Sequence, residues 1–465
     1  MSTRQTGALS PTIGSREDLV GWIAAGSKPK SRWLIGTEHE KFVFRVGSHT
    51  PVPYEGPAGI RALMEEMIRR FGWEAIAEGD NIIALKQPDG PSDNRAAATI
   101  SLEPGGQFEL SGATLATVHE TREELAEHLR QIREAGDALG LGFLGIGFSP
   151  AWTLDQTPRM PKQRYGIMAR HMPRVGSRGL DMMYRTCTIQ TNLDFGDESD
   201  MVMKLRVGLA LQPVVTAMFA SSSLCEGKPS GFRSLRSEVW RDTDKSRTGM
   251  LPFAFEPGMG FERYVDYALD VPMYFVYREG QYIDAAGASF RDFMAGRLPQ
   301  LPGEMPTLDD WSDHLTTLFP EVRLKRFLEM RGADGGGPRQ ILALSAFWAG
   351  ILYDGEALEA AWDLVKTWTA DERQSLRDEV PRGGLAVRLR RRSLQEIAGQ
   401  TLDIARRGLA NRGCIDAAGR DEQQYLEPLD EIVESGRTAA DDILERFEGR
   451  WWHQADPVFE SYAFV

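Results

Sequence analysis

The stretch Ile35-Gly-Thr-Glu-His-Glu-Lys-Phe-Val-Phe-Arg45 is rich in β-branched and aromatic residues. This composition predicts a β-strand, in which side chains two positions apart lie on one face. Glu38 and Glu40 therefore share a face with Phe42 and Phe44. Two carboxylates at that spacing raise each other's pKa unless a cation lies between them, so the pair indicates a divalent metal. If the pair stood alone, an edge strand with two solvated glutamates would be the simpler interpretation.

Three further predicted strands carry rows of oxygen-bearing or amide side chains. Each row shares one face of its strand, and the opposite face is apolar in at least two of them. Magnesium favours oxygen ligands, and phosphoryl transfer uses more than one such ion. The sequence therefore predicts a polar cleft that binds two or three Mg²⁺ ions. The rows are Glu103 with Gln107 and Glu109, then Thr186, Thr188, Gln190, Asn192 and Asp194, and then Glu329 with Arg331.

A basic segment supplies the groups that would bind anions. Residues Arg233 to Arg247 contain four arginines and a lysine, with little helical or strand periodicity. Planar guanidinium groups bind carboxylates and phosphates through two hydrogen bonds at once. Each arginine alone is more simply a surface charge, but their density in a net-acidic protein favours a binding loop.

Composition limits the partners and the compartment. The 465-residue chain has 54 basic and 67 acidic residues, a net charge of −13, which repels nucleic acid and anionic membranes. Cys187, Cys225 and Cys414 lie far apart, which excludes a disulfide scaffold and fits a reducing compartment. Met1–Ser15 has no apolar secretory segment, and the most apolar stretch, Val207–Ala220, is too short to span a bilayer. We therefore expect a cytoplasmic protein.

The order of patterns predicts an α+β fold. Strands and helices interleave over the first two thirds of the chain, and the periodicity from Arg339 onward is almost entirely helical. No linker divides the chain, so we expect one domain over residues 1–465 with a mainly helical part from about 339 to 465.

Several local patterns predict individual elements. Thr117-Val-His-Glu120 is a capping box that begins a long helix, and Gly140 ends that helix. One strand is predicted roughly from Val322 to Arg331. The basic run from Arg388 to Arg392 is interpreted as a solvated helix face.

At these residues the sequence resembles the plant-type glutamate–cysteine ligases, a group shared by plants and many proteobacteria. The resemblance covers nearly the whole chain in order. Its matching stretches are IGTEHEKF (35–42), LEPGGQFELSGA (102–113), GFLGIGF (142–148), MPKQRYGIM (160–168), RTCTIQTNLDF (185–195), DTDKSRTGMLPF (242–253), YVDYALDVPMYF (264–275) and EVRLKRFLEMRGADGG (321–336).

The resemblance implies a curved, mostly antiparallel sheet that forms a funnel-like active site, with helices packed outside, as in glutamine synthetase. It also implies that ATP phosphorylates the γ-carboxylate of L-glutamate. The amine of L-cysteine then attacks the γ-glutamyl phosphate and gives γ-glutamylcysteine, the first step of glutathione biosynthesis. The enzyme would act on these small molecules alone, as a monomer or homodimer.

The resemblance also assigns residues by their positions in the motifs. The metal-binding set is Glu38, Glu40, Glu103, Glu109, Gln190 and Glu329. Catalysis falls to Arg236, Arg331 and Glu38. Substrate and ATP binding fall to Arg236, Arg331, Arg164, Tyr165, Arg247 and Asn192.

Plant enzymes of this group are reported to switch activity through intramolecular disulfides, and Cys187 matches that system. Cys414 is the candidate partner, so a Cys187–Cys414 redox pair is a hypothesis of the resemblance. The alternative is an inert thiol, because Cys187 lies on the apolar face of its strand.

Three other functions remain open at this point. A ligase of the same fold that uses a different amine would need the same carboxylate rows. A phosphotransferase that stops at a phosphorylated product would form no peptide bond. A non-enzymatic protein that binds small acids would leave the rows without a catalytic purpose.

Overall fold

The computed structural model describes residues 10–88 and 96–464, so the first nine residues of the polar N-terminal segment lie outside it. The strands are β1 (Ile35–Arg45), β2 (Glu74–Glu78), β3 (Asn81–Lys86), β4 (Thr99–Leu102), β5 (Phe108–Ser111), β6 (Leu141–Leu144), β7 (Thr188–Leu193), β8 (Leu224–Cys225), β9 (Lys228–Pro229), β10 (Thr248–Gly249), β11 (Phe275–Arg278), β12 (Gln281–Asp284), β13 (Phe319–Pro320), β14 (Val322–Leu324), β15 (Leu328–Asp334), β16 (Arg388–Leu389) and β17 (Arg392–Ser393).

The helices precede, separate and follow these strands. They are α1 (Arg16–Ala24), α2 (Ile60–Phe71), α3 (Val118–Leu139), α4 (Gln163–His171), α5 (Gly179–Arg185), α6 (Glu198–Met218), α7 (Leu235–Arg241), α8 (Phe261–Asp270), α9 (Phe290–Met294), α10 (Leu308–Thr316), α11 (Pro338–Leu352), α12 (Gly355–Val365), α13 (Ala370–Gly383), α14 (Leu394–Arg412), α15 (Glu427–Ser435), α16 (Ala439–Glu448) and α17 (Pro457–Ser461), with short 3₁₀ turns between some of them.

One large antiparallel sheet organises the molecule. Its order is β14-β15-β7-β1-β5-β4-β3-β2, and β6 adds a further pairing to the second half of β1. β1 lies between β7 and β5, so the strand that carries Glu38 and Glu40 is central. This arrangement confirms the predicted α+β class with a mostly antiparallel sheet.

The apolar side of the central strands forms the main core. Ile35, Ile189, Leu193 and Met330 pack there against α6 and α11. Among the described residues α6 is long and apolar enough to cross a membrane, and α11 with α12 pass the same test as a pair bent by 91°. Because 89% of the apolar window of α6 is buried inside the protein, we interpret it as a core helix.

The strand Ile35–Arg45 and the long helix are confirmed. Thr117 and Glu120 form both hydrogen bonds of the capping box, and Gly140 ends α3 with a left-handed φ of 66°. The helical character beyond Arg339 is also present, whereas the prediction of one domain over 1–465 stays a prediction.

Two local predictions are wrong. The segment 322–331 is a hairpin, because β14 and β15 are separated by a tight turn in which the Lys325 amide donates to the Phe327 carbonyl at 2.9 Å. The run 388–392 is also a hairpin rather than a helix face. Arg390 adopts a left-handed φ of 55° at its tip, and its guanidinium binds Glu372.

Candidate active site

A cavity lies over the polar face of the central strands. Residues from β15, β7, β1 and β5 line it, together with side chains from α4 and α7. The structure thus brings together most of the residues that the sequence singled out. Those that line the cavity are Glu38, Glu40, Glu103, Glu109, Gln190, Glu329, Arg164, Tyr165, Arg236 and Arg331.

Strand register explains why these side chains meet. Glu40 lies directly opposite Glu109, and Glu38 lies directly opposite Gln190. Cβ atoms of directly opposed residues in an antiparallel pair are about 4.5–5.5 Å apart, so each carboxylate has a polar neighbour on the next strand. The Ser101 hydroxyl donates to Glu109 at 2.6 Å, and the Thr188 amide donates to Glu40 at 3.0 Å.

One half of the cavity is acidic. Burial and the charges of Glu109 and Glu103 raise the pKa of Glu40 well above its ordinary value. Burial and the charge of Glu103 raise the pKa of Glu109 to about 7. Burial also raises the pKa of Glu103. Carboxylates that disfavour one another's ionised form in this way form a site that a cation would stabilise.

The other half is basic. Glu329 accepts hydrogen bonds from Arg323 and Arg331 and lies 3.3 Å from the Lys325 ammonium. Burial alone would raise the pKa of Glu329, but Arg323, Lys325 and Arg331 hold it well below its ordinary value. Arg331 also donates to Gln190 at 2.6 Å, which joins the basic half to β7.

Arg236 completes the basic half from α7. One terminal nitrogen donates to the Arg331 carbonyl at 2.8 Å, and the side chain is 3% exposed. Its buried Nε has no hydrogen-bond partner among the described residues. A buried donor without a partner is costly, so this nitrogen is available to a bound anion.

Two predicted binding residues do not line the cavity. Arg247 is fully buried, forms an ion pair with Asp244 at 2.6 Å and stacks on Tyr274. Asn192 reaches the cavity only indirectly, because its amide donates to Glu38 at 2.7 Å. Both side chains therefore support neighbours of the cavity, and their predicted roles in substrate binding stay predictions.

The basic segment is not the continuous binding loop that we expected, because part of it is helical. Residues 235–241 form α7, whose N-cap is Ser234. Arg233 pairs with Asp441, and Arg241 pairs with Glu238 and Asp378, all away from the cavity. Helix geometry directs Arg236 alone of these arginines into the cavity.

Sequence reasoning missed several lining residues. Arg323 could have been identified from its alternation with Lys325 in the motif EVRLKRFLEMRG, had the turn in this segment been recognised. The apolar lining carries no local signal, because distant segments meet only in the folded chain. It comprises Met168, Met182, Met183, Trp240, Phe275 and Phe319.

The donor set fits magnesium in its chemistry, since carboxylate and amide oxygens are the ligands that this ion prefers. Within residues 10–88 and 96–464, however, no three Asp, Glu, His or Cys side chains already converge on one point. The acidic side chains would therefore have to reorient to hold an ion together.

The cysteines are free thiols wherever the structure describes them. Cys187 is fully buried close to Glu40 and Lys41, whereas the Cys414 carbonyl lies 3.1 Å from His119 at the start of α3. Burial raises the pKa of both thiols, and the thiolate is the reactive form. Their positions give no support to the Cys187–Cys414 redox pair.

Known proteins are similar to this chain over most of its length. The model of glutamate-cysteine ligase family 2 matches residues 34–461. The chain is 53% identical over 450 residues to the chloroplastic glutamate–cysteine ligase of Nicotiana tabacum. This match covers 97% of this chain and 83% of that protein. It is 52% identical to glutamate–cysteine ligase B, chloroplastic, of Oryza sativa subsp. japonica, over 97% of this chain and 87% of that protein.

A solved structure shares the fold. Glutamate–cysteine ligase from Francisella tularensis, in complex with AMP, superposes with a TM-score of 0.51 at 12% identity. The match covers 92% of this chain and 87% of that one.

The names of the plant relatives correct the predicted compartment. Those relatives are named chloroplastic, so the expectation of a cytoplasmic protein is contradicted. Free thiols fit a reducing compartment, but they do not distinguish one reducing compartment from another.

Proposed function

The chain belongs to glutamate–cysteine ligase family 2, and we propose that the cavity over β15, β7, β1 and β5 is its active site. The protein is a ligase that forms a C–N bond between the γ-carboxylate of L-glutamate and the amine of L-cysteine. One observation carries the assignment of the site: a single cavity joins an acidic half to an arginine-rich half.

The two halves suit the two problems of this reaction. A carboxylate is a poor electrophile, and ATP would convert it to an acyl phosphate with a good leaving group. Phosphoryl transfer spreads negative charge over the transferring group, and preorganised cations stabilise that charge.

The metal-binding role falls to the acidic half together with Gln190 and with Glu329 of the basic half. Mg²⁺, when bound, would neutralise phosphate charge and bring ATP oxygens close to the carboxylates. The residues that would hold it are Glu38, Glu40, Glu103, Glu109, Gln190 and Glu329. Asn192 would orient Glu38 through its hydrogen bond, so it acts on the site through another residue.

Arg236 and Arg331 would bind the phosphoryl group and substrate carboxylates. The Arg236 guanidinium donates to the backbone carbonyl of Arg331, and both side chains line the cavity. Arg164 and Tyr165 also line the cavity, and the Tyr165 hydroxyl donates to the Leu102 carbonyl at 2.6 Å. This bond fixes α4 against β4, beside Glu103.

The apolar lining would protect the acyl phosphate. Water that reached this intermediate would hydrolyse it and waste ATP. The side chains of Met168, Met183 and Trp240 form part of a wall that limits water near the reacting carbon. The cysteine amine would then be the favoured nucleophile, since the site holds both reactants close together.

The test is ADP release by the purified protein with ATP and Mg²⁺, with glutamate alone, cysteine alone, or both, and mass spectrometry of the product. We expect ADP and γ-glutamylcysteine only when both amino acids are present. ADP and product formation with another amine but not with cysteine would overturn the amine assignment. Turnover independent of glutamate would overturn the carboxylate assignment.

The site assignment needs its own control. Glu109→Gln should abolish turnover, because it removes one carboxylate of the acidic half while keeping the hydrogen bond from Ser101. Glu123→Gln, on the exposed side of α3, should leave turnover unchanged. Equal activity of both variants would place the active site elsewhere.

A further inference from the structure

The Glu329 carboxylate carries one negative charge but contacts three positively charged side chains. Arg323 donates to both of its oxygens, Nε to Oε2 at 3.0 Å and Nη2 to Oε1 at 2.8 Å. Arg331 donates to Oε1 as well, and the Lys325 ammonium lies 3.3 Å from Oε2. One carboxylate, 1% exposed, therefore has three cationic partners.

The hairpin explains this concentration of charge. Arg323 pairs directly with Glu329 across β14 and β15. Lys325 follows β14 directly, at the turn, and its ammonium lies 3.3 Å from the same carboxylate. The intervening Leu324 is fully buried in the main core, which anchors this end of the strand.

The partners differ in how firmly they are held. Arg323 also donates to the carbonyls of Thr316 and Leu318, at 2.8 and 3.0 Å, so it is fixed by the backbone. Lys325 has the longest contact with Glu329 and otherwise lies over the Phe327 ring, 4.7 Å from its centre. An ammonium is a point charge on a flexible stem, whereas a guanidinium fork is rigid.

We propose that Lys325 is a built-in competitor of the divalent cation, whose ammonium contests the Glu329 carboxylate and thereby weakens the affinity of the site for the metal. The inference rests on the proposed metal-binding role of Glu329. An ammonium and a metal ion need the same oxygen, so a metal ion can bind Oε2 only when Lys325 moves away. Arg323 cannot be displaced so readily, because it would also lose two backbone carbonyls.

The experiment measures metal affinity without turnover. Mn²⁺ is titrated into the full-length protein, in the absence of nucleotide, and free Mn²⁺ is followed by electron paramagnetic resonance. Lys325→Met removes the charge and keeps most of the stem. Its dissociation constant for Mn²⁺ should be about tenfold lower than that of the wild type, since removing one nearby positive charge favours cation binding.

Two further variants test the cause. Lys325→Arg keeps the charge and should bind Mn²⁺ like the wild type. Lys204→Met removes another buried lysine, which pairs with Asp200 on α6 outside the cavity lining, and should leave the affinity unchanged. Circular dichroism and the thermal midpoint of each variant identify any that is misfolded.

The outcomes separate the inference from the proposed function. Unchanged or weaker Mn²⁺ binding by folded Lys325→Met would overturn the competition while leaving the metal site intact. Equal tightening by Lys325→Arg would also overturn it, because charge would not be the cause. A wild-type protein that binds no Mn²⁺ would overturn the metal-binding role itself.

Discussion

At the scale of single residues, Arg236 combines full burial with an unused donor. Its Nε has no partner among the described residues, and burial lowers its pKa. A planar guanidinium can satisfy that donor and contact a phosphate with a second nitrogen at the same time. Arg236 is therefore the side chain for which a charge-conserving substitution is most informative.

We predict that Arg236→Lys lowers kcat/KM by about 100-fold, because an ammonium cannot reproduce a two-point contact with the transferring phosphoryl group. Steady-state ADP release measures the effect. Arg233→Lys is the matched control, since Arg233 pairs with Asp441 outside the cavity, and it should retain wild-type activity. Loss of less than threefold in Arg236→Lys would contradict the proposed contact.

Glu124 on α3 is a buried carboxylate whose protonation should affect stability. Burial raises the pKa of Glu124 to about 7, although the Ala113 amide donates to it at 2.7 Å. An unfolded glutamate titrates near pH 4.3, so between about pH 4.3 and 7 the folded state holds a proton that the unfolded state has released. The free energy of unfolding therefore falls as pH rises through this window.

We expect Glu124→Gln to remove this decline, because glutamine keeps the acceptor for Ala113 and cannot ionise. Between pH 5 and pH 8 the wild type should lose up to roughly 3 kcal/mol through this group, and the variant should not. Urea unfolding at both pH values provides the measurement. Glu123→Gln, at an exposed neighbour, should retain the wild-type slope, and a similar slope in all three proteins would refute the assignment.

At the scale of elements, α11 and α14 are in unusually close contact. A Cβ built on Gly408 would lie 1.8 Å from the Gly350 carbonyl oxygen, which is far inside contact distance. A Cβ built on Gly399, in the same helix, would meet only a Val433 methyl group at 3.5 Å. The two glycines of α14 thus differ in one respect, the space beside them.

Gly408→Ala should lower the free energy of unfolding by about 3 kcal/mol or more, since the helices must separate to admit the methyl group. Gly399→Ala should be neutral or stabilise by up to about 1 kcal/mol, because alanine favours a helix over glycine. Denaturant unfolding compares the two variants. Equal stability of both would show that the contact is not tight.

Some elements of the fold could be predicted from local sequence, and others could not. Strand β1 and helix α3 were predictable because local signals coincide there: β-forming composition in one and a capping box with a terminal glycine in the other. The hairpin 322–334 was not predictable in the same way, since neither glycine nor proline marks its turn at Lys325–Phe327. The hairpin 388–393 could not be predicted for a similar reason. Arg390 at its turn adopts a left-handed conformation that arginine seldom takes.

The residues of the active site also differ in whether local sequence or only the folded chain identifies them. Alternation along single strands was enough to group Glu38 with Glu40 and to separate the polar and apolar faces of β7. Which strands are neighbours is a long-range property, so the opposition of Glu40 and Glu109 came only with the register. The family resemblance supplied the metal-binding set, and side chains such as Trp240, contributed by α7, required the folded chain.

At the scale of the whole molecule, the end of the described chain supports the central strand. The Phe464 amide donates to the Phe143 carbonyl at 2.8 Å, and the Gly145 amide donates to the Tyr462 carbonyl at 3.2 Å. Residues 462–464 thus extend the pairing beyond β6, which itself pairs with β1. The segment therefore lies beside β6, on the edge away from β1.

The fit around Phe464 is specific. A Cβ on Gly145 would lie 2.6 Å from its ring, so only glycine leaves room for this aromatic side chain. The buried Lys41 ammonium also lies 5.9 Å from the centre of the ring. The ring therefore covers the buried Lys41 side chain of β1.

We predict that Phe464→Ala lowers the free energy of unfolding by about 2–4 kcal/mol, because it removes a packed ring and uncovers Lys41. The urea midpoint should fall accordingly. Trp452→Ala is the matched control, since this larger aromatic side chain is 82% exposed and its loss should change stability by less than about 0.5 kcal/mol. If the two variants unfold at the same urea concentration, the end of the chain is not a structural part of the sheet.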